Sequence, residues 1–330
     1  MSRTGRGAVA TAHSNIALIK YWGKRDARLA IPSTSSLSLT LDVFPTTTRV
    51  AFDDALETDT VQLDGAPMPP RAAARVSDFL DLVRERAGIT TAARVVTENA
   101  VPTGAGLASS ASGFAALAGA ASTAAGLDLD TRELSRLARR GSGSASRSVF
   151  GGLVQWNAGT GDADSYAEPV PSGDLSLAMI VVVVNAAEKA VSSRDGMRRT
   201  VETSPFYEPW VSRSADDLAQ MRRAIADADL ASVCEIAESN AMGMHGTMLG
   251  ARPPFSYWEP ASLAVMGVVR ALRDRGVVCG FTMDAGPNVK IICSPSDVAT
   301  VTAALDDAVP GAERIVAGPG PGLLIREDAS

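Results

Sequence analysis

Two hydrophobic rhythms divide this chain. "SLSLTLDVF" and "TTTRVAFDD" alternate apolar and polar residues with a period of two, and Pro45 stands between them. That pattern predicts two strands paired antiparallel. "VQLDGAPM" carries the Asp64-Gly65 signal of a tight hairpin. "RAAARVSDFLDLVRERAG" changes to helical spacing and stops at Gly88. "AARVVTENAVP" returns to a strand. "VPTGAGLASSASGFAALAGAASTAAGL" then reads as a glycine-bearing loop feeding a helix of very small residues, which requires close packing on its neighbours.

"DTRELSRLARRG" opens with a capping box, Asp130 with Glu133. "VFGGLVQWNAG" and the β-branched run "LAMIVVVVNAA" predict further strands, the second buried on both faces. Beyond residue 188 the texture turns helical, through "SADDLAQMRRAIADADLASVCEIAESNAMGMHGTML" and "ASLAVMGVVRALRDRG". A strand, the turn "DAGPN", a strand, the helix "SDVATVTAALDDA" and the strand "ERIVAG" follow, and "GPGPG" reads as a turn. The expected fold class is α+β in two domains, residues 1–187 and 188–330.

Composition narrows the function. The 330 residues are 46% hydrophobic and 21% charged, which suits a folded core. The net charge of -6 argues against a nucleic-acid binder, including an RNA-binding module. "LAMIVVVVNAA" is too short and too interrupted to span a bilayer, and the N-terminus lacks the apolar h-region of a signal peptide, so a cytoplasmic protein is expected. Three cysteines without a CxxC spacing read as buried thiols, and two histidines make a zinc site improbable.

Five segments carry candidate chemistry. In "PTGAGLASSA", Gly104 and Gly106 let backbone N–H groups converge, the helix starting near Ser109 adds its positive end, and Ser109 and Ser110 add hydroxyls. The segment reads either as a phosphate cradle without a Walker lysine or as a glycine turn before an alanine-rich helix. "NIALIKYWGKRD" ends a strand with Lys20, Tyr21, Trp22, Gly23 and Lys24, an anion site with a rigid wall or a strand with solvated lysines. "RRGSGSASRSVFGG" offers Ser142, Ser144 and Arg147, a set suited to a carboxylate or phosphate, in what is otherwise a polar loop. "EKAVSSRDGM" offers Ser193 and Arg194, or a plain linker. In "CGFTMDAGPNVKIIC" a single acid, Asp284, stands between two apolar runs. Together they predict a site for a multiply phosphorylated ligand.

These segments, taken jointly from about Ala12 to Cys293, resemble the diphosphomevalonate decarboxylase branch of the galactokinase, homoserine kinase, mevalonate kinase and phosphomevalonate kinase superfamily. The glycine motif alone resembles only the superfamily. The resemblance implies a ribosomal-S5-like N-terminal domain and a ferredoxin-like C-terminal domain, with the site between them. It implies a homodimer that uses ATP and Mg²⁺ to convert diphosphomevalonate into isopentenyl diphosphate, ADP, phosphate and CO2. A kinase or decarboxylase acting on a related mevalonate or phosphomevalonate is the alternative.

By the same resemblance, Asp284, Lys20 and Arg147 are catalytic. Tyr21, Trp22, Gly23, Lys24, Arg75, Ser142, Gly143, Ser144, Ala145, Ser146, Ser193, Arg194 and Met197 join Arg147 in holding substrate. Pro102, Gly104, Ala105, Gly106, Leu107, Ala108, Ser109 and Ser110 would hold the nucleotide. No metal ligand is assigned. His13 and Gly104 depart from the family pattern, where proline and alanine are expected.

Overall fold

The computed structural model describes residues 7–100, 109–185, 187 and 190–328. In chain order the elements begin with strand β1 (Gly7–Ile19), a short pair β2 (Lys24–Asp26) and β3 (Ile31–Pro32), and strand β4 (Ser36–Phe52). The hairpin β5 (Thr60–Leu63) and β6 (Ala66–Pro67), helix α1 (Pro70–Ala87) and strand β7 (Ala93–Asn99) follow. Helices α2 (Ser109–Ala124) and α3 (Thr131–Gly141) lead through a 3-10 helix over Gly143–Val149 to strands β8 (Leu153–Trp156) and β9 (Ala167–Pro169). Next come β10 (Ala178–Val183) and helices α4 (Ser193–Thr203), α5 (Tyr207–Ala226), α6 (Leu230–Leu249) and α7 (Pro260–Asp274). The chain closes with β11 (Cys279–Met283), β12 (Val289–Cys293), α8 (Val298–Ala308), β13 (Glu313–Ala317) and β14 (Leu324–Asp328).

Two sheets organise these elements. The larger has eight strands in the order β14-β1-β4-β7-β5-β6, with β8 joined to β4 and β9 to β8. The smaller runs β11-β12-β10-β13. Strand β10, on the N-terminal side of residue 187, therefore belongs to the smaller sheet. Strand β14, which no sequence pattern marked, crosses back to the edge of the larger one.

Helices α1, α2 and α3 cover one face of the larger sheet, where Phe79, Leu80, Val83, Phe114 and Leu117 meet Val50 and Val95. Alanines at 111, 115, 116, 118, 120 and 121 are buried, as the small-residue helix requires. A side chain at Gly119 would already press on Leu323 and Ile325. The opposite face carries Ile16, Leu18, Leu37, Leu39 and Leu41. They pack on Met179 and Val181 of β10 and on Met221, Ile225 and Val233 of the helical half. Each such side chain contributes ~1.5–3 kcal/mol on burial, so the two halves are joined by core as well as by chain. No helix among the described residues is long and apolar enough to cross a membrane.

Several predicted elements form as expected. Asp64 (φ 52) and Gly65 (φ 80) make the hairpin turn. Gly88 ends α1 in the left-handed region, and the Asp130–Glu133 capping box opens α3.

Others differ. The two predicted strands flanking Pro45 are one strand of 17 residues, β4. Pro45 lies opposite His13, where the register with β1 shifts, so its missing N–H falls at an irregularity and costs little. The predicted loop at Ser142–Arg147 is a buried 3-10 helix. "GPGPG" is more than a turn. Gly320 N–H donates to Thr40 O at 2.8 Å, Gly152 N–H donates to Gly320 O at 2.9 Å, and Leu323 N–H donates to Val149 O at 3.1 Å. The strap thereby ties β4 to the end of the 3-10 helix. A Cβ on Gly320 would sit 2.0 Å from Leu41 O, which is backbone and cannot yield. Gly320→Ala should destabilise the protein by ~2 kcal/mol in urea unfolding. Gly267→Ala, where nothing lies within 4 Å of the added carbon, should not.

Candidate active site

A cleft of about 560 Å³ opens between the two sheets. Strand β1 brings Lys20 to it, the 3-10 helix brings Arg147, and the β11–β12 turn brings Asp284. Six cationic side chains line it (Lys20, Lys24, Arg71, Arg75, Arg147, Arg194) against two carboxylates, Asp195 and Asp284. In a chain of net charge -6, such a surplus marks an anion site.

The Asp284 turn is held from three sides. Strands β11 and β12 are buried along their whole length and fix its two ends. Ser262 Oγ of α7 donates to Pro287 O at 2.6 Å. Asn288 Oδ1 accepts from the backbone N–H of Val184 at 2.7 Å and of Asn185 at 3.0 Å. So placed, Asp284 Oδ1 lies 2.7 Å from Lys20 Nζ and Oδ2 lies 3.2 Å from Lys290 Nζ. The carboxylate keeps 30% exposure toward the cleft while both lysines are buried.

Burial alone would raise the Asp284 carboxyl. The ammonium groups of Lys20 and Lys290 outweigh it and hold the carboxyl well below the usual range. Burial lowers Lys20 to about 8, and Asp284 opposes that fall. Lys20 is itself anchored twice more: Nζ donates to Ala17 O at 2.8 Å, and its backbone N–H donates to Asn240 Oδ1 of α6 at 2.8 Å. His245, on α6 behind this cluster, is driven down to about 3 by burial and by the Lys20 charge, so it is neutral.

Arg147 is buried and has no carboxylate partner among the described residues. Its guanidinium donates to neutral oxygens only: Ser38 Oγ at 2.9 Å, Ser36 Oγ at 2.5 Å, and Asn15 Oδ1 at 3.1 and 3.2 Å. These leave one N–H on each terminal nitrogen for a ligand. Burial lowers Arg147 to about 10, with the Asp284 charge opposing. A buried cation fixed by neutral groups and facing a cleft is arranged for an anion that arrives from outside.

At the far end, Lys24, Arg71, Arg75 and Arg194 converge. The pKa of Lys24 falls through burial and then through Arg194 and Arg75. That of Arg75 falls through burial and then through Arg194 and Arg71. Ser193 opens α4 beside them, and Met197 lies one turn on. Ser110 Oγ is 3.3 Å from Ser142 Oγ, which is 3.5 Å from Ser144 Oγ, forming a hydroxyl rim. Tyr21 meets Trp156 edge-on at 4.8 Å, and its hydroxyl is buried with no hydrogen-bond partner among the described residues.

Most of the expected residues therefore meet in one cleft: Lys20, Tyr21, Trp22, Lys24, Arg75, Ser110, Ser142, Gly143, Ser144, Arg147, Ser193, Arg194, Met197 and Asp284. Three do not face it. Gly23 (φ 94) packs against Tyr207, where any side chain would collide. Ala145 is in the helical core, and Ser146 turns inward to donate to Gly143 O at 2.8 Å. These two fall on the inner face of the 3-10 helix, which an open-loop reading could not foresee. Pro102, Gly104, Ala105, Gly106, Leu107 and Ala108 lie outside the described residues, and Ser109 begins α2.

Arg71, Lys290, Asn15 and Asn240 were not singled out in the sequence. Arg71 was detectable, one helical turn before Arg75. Lys290 was hidden by its place inside an apolar strand.

Residues 12–167 match the model of the diphosphomevalonate decarboxylase-like N-terminal domain, and residues 179–318 match that of the mevalonate 5-diphosphate decarboxylase C-terminal domain. The chain is 36% identical to the diphosphomevalonate decarboxylase of Homo sapiens, over 89% of this chain and 78% of that protein. It is similar to the mevalonate diphosphate decarboxylase structure from Enterococcus faecalis at 48% identity and TM-score 0.94, covering 98% and 99% of the two chains. Another similar structure, 49% identical over 98% and 99% of the two chains with TM-score 0.95, was solved in complex with MVAPP, AMPPCP and magnesium. Two domain models in sequence and relatives aligned over most of its length establish that this chain belongs to the diphosphomevalonate decarboxylase family.

Proposed function

We propose that this enzyme performs the reaction of its family, the ATP-dependent decarboxylation of diphosphomevalonate, in the cleft between its two sheets. The observation that carries the site assignment is the pairing of a doubly clamped carboxylate, Asp284, with a buried guanidinium, Arg147, that has no carboxylate partner among the described residues.

The substrate has three polar groups, and the cleft has three matching regions. The carboxylate goes to Arg147, with Ser142 and Ser144 on the rim. The diphosphate goes to Lys24, Arg75, Arg194 and Ser193, to which the geometry adds Arg71. The tertiary hydroxyl lies between them, at Asp284 and Lys20. Tyr21, Trp22 and Met197 form the apolar wall.

Phosphorylation of the hydroxyl turns a poor leaving group into a good one. The C–O bond then breaks with loss of phosphate. The C–C bond to the carboxylate breaks with loss of CO2, and its electron pair forms the alkene. Asp284 accepts or orients the hydroxyl proton, and its fixed negative charge stabilises positive character at carbon. Lys20 offsets charge developing on the transferred phosphoryl group. Arg147 holds the carboxylate opposite the departing phosphate.

Nucleotide phosphates go to the segment from Pro102 to Ser110, at the positive end of α2. An apolar pocket of about 210 Å³ beside Ser110, lined by Val76, Val95, Phe114 and Leu117, is placed for the base. No group of three acidic, histidine or cysteine ligands occurs among the described residues. A magnesium ion carried by nucleotide phosphates, with waters completing its shell, needs no dedicated protein cage. When bound, the ion neutralises phosphate charge.

We place the division between the domains in the segment linking β9 to β10, and we read the protein as a cytoplasmic homodimer. No nucleic-acid or membrane partner is proposed.

Asp284→Ala should lower kcat by ~10³-fold while the Kd for ATP stays within about threefold, in single-turnover and equilibrium binding assays. Wild-type turnover would refute the assignment. Arg147→Lys keeps the charge and loses the planar fork, and should cost ~10²-fold in kcat/KM for the substrate. A rate within about twofold of wild type, less than ~0.5 kcal/mol of barrier, would remove Arg147 from the mechanism.

A further inference from the structure

Lys290 is a buried cation that the reaction scheme above does not use. It sits on β12, six residues after Asp284, at 1% exposure. It does not line the cleft. Among the described residues its Nζ contacts Asp284 Oδ2 at 3.2 Å and the carbonyl of Asn288 at 3.2 Å. A lone buried ammonium costs several kcal/mol, so a lysine inside an otherwise apolar strand needs a compensating partner. Thr282, its cross-strand neighbour, is buried too, and its hydroxyl is committed to Ala17 O at 3.3 Å.

We propose that Lys290 is a positioning residue for the reaction. It holds the second oxygen of Asp284, so the carboxylate stays ionised and presents a fixed face to the substrate hydroxyl. The proposal rests on the assignment of Asp284 to that hydroxyl.

Four charged or titratable side chains from four elements surround the carboxylate. Lys20 directly follows β1, Arg147 is on the 3-10 helix, His245 is on α6 and Lys290 is on β12. His245 is neutral and supplies no charge. Lys20 contacts only Oδ1, so it cannot fix the rotation of the carboxylate alone. Arg147 bonds to Asn15, Ser36 and Ser38 and forms no ion pair with Asp284 among the described residues. That leaves Lys290 to engage Oδ2. With both oxygens held, rotation about the Cβ–Cγ bond is blocked, and the carboxylate plane is set before substrate binds.

The second effect is electrostatic. Lys20 and Lys290 are like charges on one acid, and the Lys290 charge lowers the proton affinity of Lys20 through space. Removing Lys290 therefore has two consequences of the same sign. Asp284 loses one of the two charges that offset its burial, so it binds a proton more readily. Lys20 loses a repelling neighbour, so it holds its proton to higher pH. Both changes move the active window the same way, toward higher pH. A residue needed only for packing would lower activity by a constant factor at every pH.

The test is the pH dependence of kcat and kcat/KM, from pH 5 to 10, for wild type, Lys290→Met, Lys290→Arg and Asp284→Ala. Substrate and nucleotide ionisations are common to all and cancel in the ratio of variant to wild type. Wild type should show an alkaline limb near the Lys20 value of about 8. Lys290→Met should lose at least about tenfold in kcat at pH 7. Its alkaline limb should move up by about one unit, so its ratio to wild type should rise above pH 8. KM for ATP should change by less than about threefold, and Lys290→Arg should recover most of the rate. Should Lys290→Met fail to fold, Lys290→Gln serves in the same comparison. A profile that superimposes on wild type after scaling, or kcat within twofold of it, overturns the inference while Asp284→Ala remains inactive. An active Asp284→Ala would instead overturn the underlying assignment.

Discussion

The contact on which the rest depends is the ion pair between Lys20 and Asp284, 2.7 Å long and set where the two sheets meet. One partner comes from the end of β1, the other from the β11–β12 turn, 264 residues apart. Breaking a buried pair by removing one partner costs ~3–5 kcal/mol, because the remaining charge is left without compensation. The pair therefore ties the relative placement of the two sheets to the chemistry of the cleft. Around it the structure adds contacts that act on the same joint. Asn240 accepts from the Lys20 backbone, Thr282 donates to Ala17, and Tyr207 donates to the carbonyl of Trp22. The shared core of Ile16, Leu37, Met179 and Val233 lies behind them.

The electrostatic arrangement follows from that joint. An acidic protein concentrates six cations in one cleft, and the most deeply buried of them, Lys20 and Arg147, are fixed in advance by neutral groups or by Asp284. Ordering of these side chains is completed during folding, so substrate binding does not have to supply it. Catalysis of phosphoryl transfer relies on positioning and on charge stabilisation more than on covalent participation, and a prearranged cationic cleft supplies both.

Much of this was legible from residue order. The alternating runs, the Gly88 stop and the Asp130–Glu133 box are local signals, and local structure obeyed them. The polar segments were recognisable because lysine, arginine and serine at strand and helix ends need a reason to be there. What escaped was non-local. Pro45 suggested a break, yet a register shift opposite His13 absorbs it and β4 runs on. "GPGPG" lacks any periodic signal, and its role comes only from backbone contacts with Thr40 and Gly152 across the sheet. Lys290 was hidden inside an apolar strand, and only the fold brings Asp284 back over it. Ala145 and Ser146 carry a polar-loop composition but face inward on a 3-10 helix.

In the proposed reaction one cleft both phosphorylates its substrate and drives out CO2. The most direct test follows ADP, inorganic phosphate and CO2 together, with purified protein, Mg-ATP and diphosphomevalonate. All three should appear in equal amounts and at equal rates. ADP without phosphate or CO2 would mean a kinase that stops at the phosphorylated intermediate, and would contradict the proposed reaction.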